Sequence, residues 1–270
     1  MPAFETVVKA PEEEIDLALA ALLVARVETP GLDPRPWLER LDDLAHRSGI
    51  AVSCDPSKAL TRLRRFLFEE EGFHGNRDDY FDPLNSCLDQ VVERRIGIPI
   101  TLSVLMMEIG RRVGVAIEGV GLPGHFVVRA QTISATVLID PFHGGSVLSV
   151  ADAEDVIAEA VGRRVDLQPA HFAPVSKRQI LGRMLANLKS VYIKRENWAK
   201  ALQVIDWLLA IDDGSATQTR DRGTVLMKLG QFQAGAAAWE RYLTRHPNAK
   251  DSEKLRGQLR RIRQALASLN

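Results

Sequence analysis

The chain has 270 residues, 46% of them apolar, with 35 basic and 35 acidic side chains. That length and apolar content support one large or two modest packed domains, and a formal charge of zero excludes a global electrostatic draw to nucleic acid or an anionic membrane. Two cysteines, Cys54 and Cys87, make neither a disulfide framework nor a metal spacing, which predicts a reducing, cytoplasmic setting with no cofactor and no metal.

Residues 1–75 read as a helical N-terminal subdomain. Ile15, Leu19, Leu22 and Leu23 recur at helical spacing, as do Trp37, Leu38, Leu41, Leu44 and Ala45. Pro30-Gly31 separates these two segments and Gly49 ends the second. Asp55 or Ser57 is placed to cap a third helix, whose apolar face is Leu60, Leu63, Phe66 and Leu67. The apolar run Ile15–Val27 is short and holds Asp16 and Arg26. It is predicted to be neither a spanning helix nor a signal peptide.

Residues 76–150 change character. A helix is expected from about Ser86 to Arg95, with Asn85 or Ser86 as its cap, and a break follows at Gly97. A second helix starts at Pro99, whose missing N–H suits a first helical position, and runs to about Val113. Leu102, Leu105 and Ile109 mark one face and Ile100, Val104 and Met107 another, so this helix is predicted to be buried and central. Ala116–Gly121, Phe126–Ala130 and Thr136–Ile139 then read as short strands, giving an α+β class with helix followed by antiparallel sheet.

Helix returns after Ala151. Residues 151–179 connect to a repeat region over 180–270. There Tyr192, Trp198, Ala201, Ile205 and Leu208 recur as Leu226, Phe232, Gly235, Trp239 and Tyr242, each pair 34 positions apart. That period, with a small residue at Ala201 and Gly235, resembles the tetratricopeptide repeat and implies a surface for a protein or peptide partner. Leu255, Leu259, Ile262 and Leu266 continue as a polar capping helix up to Leu269. Its basic run, Arg256, Arg260, Arg261 and Arg263, could meet phosphate, but with a neutral chain and alternating charge nearby it reads as a solvated face.

Three stretches carry a more specific resemblance: "DPLNSCLDQVVERRIGIPITLSVLMMEIGRRVGV", "GVGLPGHFVVR" and "LIDPFHGG". Together with the repeats they resemble the SirB-type proteins, a transglutaminase-like domain followed by tetratricopeptide-type repeats. The wider superfamily uses a Cys-His-Asp triad. Its cysteine opens a central helix, where the N-terminal end favours a thiolate, and histidine and aspartate follow on strands. The resemblance places the histidine at His125, the aspartate at Asp140 and the nucleophile at Pro99. Proline has no thiol and no backbone N–H, so the pattern implies a pocket without its nucleophile, in a binding or regulatory protein.

The alternative is a hydrolase or acyl-transferase acting on amide or peptide bonds, with His125 as base and Thr101, Ser103 or Cys87 as a substitute nucleophile. Equally, Thr101 and Ser103 would bond backbone early in a helix, and Cys87 would be a small buried hydrophobe. Asn85, Arg95 and His143 are candidate pocket residues, with Arg94 and Arg95 also placed to pair with Asp89 or Glu93. His125, Asp140, His143 and Glu108 show no short ligand spacing, so no metal is expected.

Overall fold

The computed structural model describes residues 2–51, 54–132 and 135–267, the last three as backbone only. The chain divides into two compact units, residues 1–184 and 185–270.

In the first unit, short helices α1 (Phe4–Val8) and α2 (Leu17–Val24) precede α3 (Arg35–Arg47) and α4 (Pro56–Arg65). Asp16 caps α2 by accepting from Leu19 N–H at 3.0 Å. Asp55, rather than Ser57, caps α4, accepting from Ser57 and Lys58 N–H at 3.0 and 3.1 Å. A one-turn π-helix, Phe66–Glu70, ends α4.

Two residues of strand, β1 (His74–Gly75), pair in parallel with β2 (Ile96–Gly97), which follows helix α5 (Leu88–Arg94). The central helix α6 (Pro99–Arg112) is apolar on all sides because it is surrounded: it touches α2, α3, α5 and the sheet, and eleven of its residues are buried.

The sheet runs β3 (Ile117–Val120), β4 (Val127–Gln131), β5 (Thr136–Asp140) and β6 (Ser146–Leu148), in that spatial order and antiparallel throughout. Val128 faces Ile139, and Asp140 faces Ser146. Helix α7 (Val150–Val161) buries Ala153 and Ile157 with Val120, Leu122 and Val127 of the sheet region, in an apolar cluster that Leu167 completes. At about 25 cal/mol per Å² of apolar surface buried, the valine, leucine and isoleucine side chains of this cluster each contribute about 1.5–3 kcal/mol. Strand β6 and the β1–β2 pair are additions to what period-two patterning predicts, since three-residue strands carry too few alternations to register.

Helix α8 (Lys177–Lys194) runs into the second unit, which continues with α9 (Trp198–Ile211), α10 (Ala216–Lys228), α11 (Phe232–Arg245) and α12 (Ser252–Ala267). The 34-residue register is visible here: Trp198 and Phe232 are each the first residue of a helix. Gly223 accepts the Trp239 ring so closely that a Cβ would lie 2.2 Å from its Cδ1. Leu255 and Leu259 of α12 bury against Trp239, Tyr242 and Leu243, as a capping helix does. The Leu266 side chain and Leu269 lie outside the described residues.

Taken together, the fold is α+β: a helical N-terminal region, a central helix with an antiparallel sheet, and a C-terminal run of repeat helices. Among the described residues no helix is long and apolar enough to cross a membrane.

Candidate functional site

His125 and Asp140 reach one place from adjacent strands. His125 precedes β4, in a turn closed by its own N–H donating to Leu122 O at 3.3 Å. Gly124 stands at φ +69°, where a Cβ would come 2.5 Å from Val161 Cγ1, so both backbone hand and space call for glycine. On the other strand Asp140 ends β5, and the chain doubles back through Pro141–Gly145.

His125 Nε2–H donates to Asp140 Oδ2 at 2.8 Å. His143 reaches the same oxygen from the turn, its Nδ1–H donating at 2.7 Å. The other oxygen, Oδ1, accepts the backbone N–H of Phe142 at 2.9 Å and of His143 at 3.3 Å. Asp140 has no solvent exposure. Burial alone would raise its carboxyl pKa, but the bonds and charges of His125, then His143, outweigh it and hold the carboxyl below its usual range. Both imidazoles are thereby oriented by one shared carboxylate.

The pair opens on a cavity of about 420 Å³ whose walls include Tyr80, Phe81, Pro99, Phe142, His143 and Glu159. Tyr80 packs edge-on to Phe81 and to Phe142, with centroids 5.4 and 6.0 Å apart. Pro99, the first residue of α6, thus stands on the cavity wall with His125, at the place where the triad pattern expects a thiol.

None of the three candidate substitute nucleophiles lines this cavity. Thr101 Oγ1 donates to Asn85 O at 2.7 Å and accepts Ile98 N–H at 3.1 Å, so it fastens the start of α6. Ser103 is fully buried and its Oγ has no hydrogen-bond partner among the described residues. Cys87 is sealed in a cluster with Ala25 and Leu32, its Sγ 3.6 Å from Pro83 O. His125 Nδ1 makes no hydrogen bond among the described residues.

Two other candidates also lie elsewhere. Asn85 is buried and is not a helix cap: its Nδ2 donates to Asp79 O at 2.7 Å and its Oδ1 accepts from Asn76 Nδ2 at 3.1 Å. It latches the 76–85 loop that carries Tyr80 and Phe81. Arg95, at φ +61°, pairs with Glu71 at 3.1 Å, and Arg47 pairs with Glu71 as well, away from the cavity wall. Arg94 pairs with Asp82 at 2.9 Å, not with Asp89 or Glu93. Glu108 binds Arg111 and Arg112 and takes no part in the His–Asp–His cluster.

Arg183 of α8 was not singled out by sequence. Its Nη2 donates to Gly121 O at 3.0 Å, its Nη1 approaches Leu122 O and His125 O at 3.4 Å, and its guanidinium lies 5.7 Å from the Phe126 ring centroid. Burial lowers its pKa. It secures the backbone that presents His125, and no sequence period marks such a contact.

Residues 35–186 match the model of the transglutaminase-like superfamily, and residues 188–260 match a tetratricopeptide repeat. The chain belongs to the transglutaminase-like superfamily. It is 34% identical over 265 residues to a UPF0162 protein of Xylella fastidiosa strain 9a5c, covering 96% of this chain and 94% of that one. A UPF0162 protein of Vibrio cholerae is 29% identical over 206 residues, 76% of each chain. Human F-box only protein 21 is 34% identical over 157 residues, 55% of this chain and 24% of that protein. No solved structure matches. The architecture, a transglutaminase-like domain followed by tetratricopeptide repeats, is that of the UPF0162, SirB-type proteins, and repeats of this kind generally mediate contacts between proteins.

Proposed function

We propose that this protein is a non-catalytic binding protein, in which a transglutaminase-like cleft receives a peptide segment of a protein partner and the repeat helices supply a further protein-binding surface. The observation that carries the reading is Pro99 on the cleft wall beside His125, with Thr101, Ser103 and Cys87 all committed or sealed elsewhere. Acyl transfer through a covalent intermediate needs a nucleophile within hydrogen-bond reach of its base. Here none of those three side chains lines the cavity that His125 faces. The cleft retains what a binding site uses: aromatic walls from Tyr80, Phe81 and Phe142, two imidazoles, and the Glu159 carboxylate.

On this reading the protein works in the cytoplasm, without nucleic acid or membrane as partner. Its division of labour follows residues 1–75 as a helical support, 76–150 as the cleft, 151–179 as a connector and 180–270 as the repeat surface. The second reading is a hydrolase or acyl-transferase working through His125 and Asp140, favoured by His125 Nδ1, which makes no hydrogen bond among the described residues.

One comparison tests both. Wild type and His125→Ala are treated with thiol- and hydroxyl-directed acylating probes and mapped by mass spectrometry, while partner capture is quantified for wild type and Phe81→Asp. The expected result is no His125-dependent adduct, with partners lost on Phe81→Asp. An adduct on Thr101, Ser103 or Cys87 that vanishes in His125→Ala would overturn the binding reading.

A further inference from the structure

We propose that His125, Asp140 and His143 form a binding site for one divalent first-row transition-metal ion of the zinc class, set in the floor of the cleft. The inference rests on reading that cleft as a binding site rather than an acylating one. One ligand atom from each residue lies within 4.8 Å of the other two. A tetrahedral ion with metal–ligand distances of about 2.0–2.2 Å spaces its ligands about 3.3 Å apart. The two N···O separations are 2.8 and 2.7 Å, so small side-chain rotations convert the hydrogen-bonded cluster into a ligand set.

Three features favour a cation over a structural hydrogen-bond pair. Orienting a histidine takes one imidazole on one carboxylate, whereas here a second imidazole, three residues beyond Asp140, is aimed at the same oxygen. Asp140 is wholly buried, and among the described residues no lysine or arginine pairs with it. A carboxylate so placed sits where a dication would compensate its desolvation. Finally, Oδ1 is held by the N–H groups of Phe142 and His143, leaving Oδ2 fixed in direction, as backbone donors outside a metal site fix a ligating carboxylate.

The ligand chemistry, two imidazoles and one carboxylate, suits zinc, cobalt, nickel or iron(II) rather than magnesium or calcium, which prefer all-oxygen sites. Upon binding, the protons of His125 and His143 sit on the ring nitrogens away from the ion, His125 Nδ1 and His143 Nε2. Three protein ligands leave a coordination position for water or a donor atom of whatever occupies the cleft.

The test uses the full chain, stripped with a chelator and titrated with Co²⁺ followed by visible absorption, and with Zn²⁺ by calorimetry. One ion per chain is expected. His143→Ala and His143→Asn should each weaken binding more than about tenfold, while His74→Ala, on an exposed histidine of β1, leaves it unchanged. Folding of each variant is checked by circular dichroism, and the two replacements at position 143 guard against one failing to fold. No saturable binding by wild type, or binding indifferent to both His143 variants, overturns the site. Phe81→Asp separates the two proposals: a lost cation with Phe81-dependent partner capture retained sinks the metal site alone. A retained cation with partner capture indifferent to Phe81 sinks the cleft as a peptide site alone.

Discussion

The two units bury different things. In the first, Asn85, Asp89, Thr101, Ser103, Glu108, His125 and Asp140 are all inside, most tied into side-chain networks. In the second, among the described residues, the buried polar side chains are Thr219 and Ser252, each donating to a backbone carbonyl a turn or so away. Repeat helices need little beyond apolar surface to stack. A buried carboxylate carries a desolvation cost of several kcal/mol, which at Asp140 is offset by two histidines and two backbone N–H groups. The difference separates packing that builds a surface from interior chemistry that equips a pocket.

The strongest way to break this contrast is to remove the carboxylate. Asp140→Ala strands two imidazole N–H groups and two backbone N–H groups, and is expected to cost about 3–5 kcal/mol by urea denaturation. A loss below about 1 kcal/mol would mean that the cluster is no more structural than an exposed ion pair. Next in size is Pro99→Cys, which returns a thiol to the start of α6. At neutral pH it should alkylate about a hundredfold faster than the exposed Cys54, and the gain should disappear in the Pro99→Cys/His125→Ala double variant. Equal rates would show that His125 does not serve that position.

In the second unit the matching perturbation is steric. Gly223→Ala drives a Cβ against the Trp239 ring and is expected to cost about 1–2 kcal/mol, read as a lower denaturation midpoint. The smallest effect is electrostatic. Tyr242 Oη–H donates to Asp251 Oδ1 at 2.8 Å, and that bond holds the Asp251 carboxyl below its usual range. A depressed carboxylate stabilises the fold above its unfolded pKa of about 3.9 and loses that contribution as pH falls through the lower folded value. Tyr242→Phe should therefore cost about 1 kcal/mol at neutral pH, since the ring stays packed and only the bond to the partly exposed Asp251 is lost. The two proteins should converge in stability in strong acid, and a difference that persists there would assign the loss to packing.

How much of this could be read from sequence also divides by unit. The repeat register at Trp198/Phe232 and Ala201/Gly235 is periodic, and periodicity survives in a sequence. The placement of His125 and Asp140 came through strand-bounding motifs and a family resemblance. What escaped was everything set by packing across the sheet. His143 reads as a pocket residue in the sequence, but its bond to the Asp140 carboxylate comes from the Pro141–Gly145 turn folding it back, which no ligand spacing announces. Asn85 sits before a helix, as caps do, yet its amide is spent on Asp79 and Asn76. Glu159 and Phe142 meet in the cleft from elements with no shared motif.

Pro99 has a consequence of another kind. At the first position of a helix the backbone N–H has no intrahelical acceptor, so proline there sacrifices no bond and even presets the backbone angle. Pro99 is nevertheless buried at the cleft wall, so exchanging this ring for a thiol spares the helix start and is felt in side-chain packing instead. The backbone at that position thus makes no demand that would either keep a thiol or exclude one.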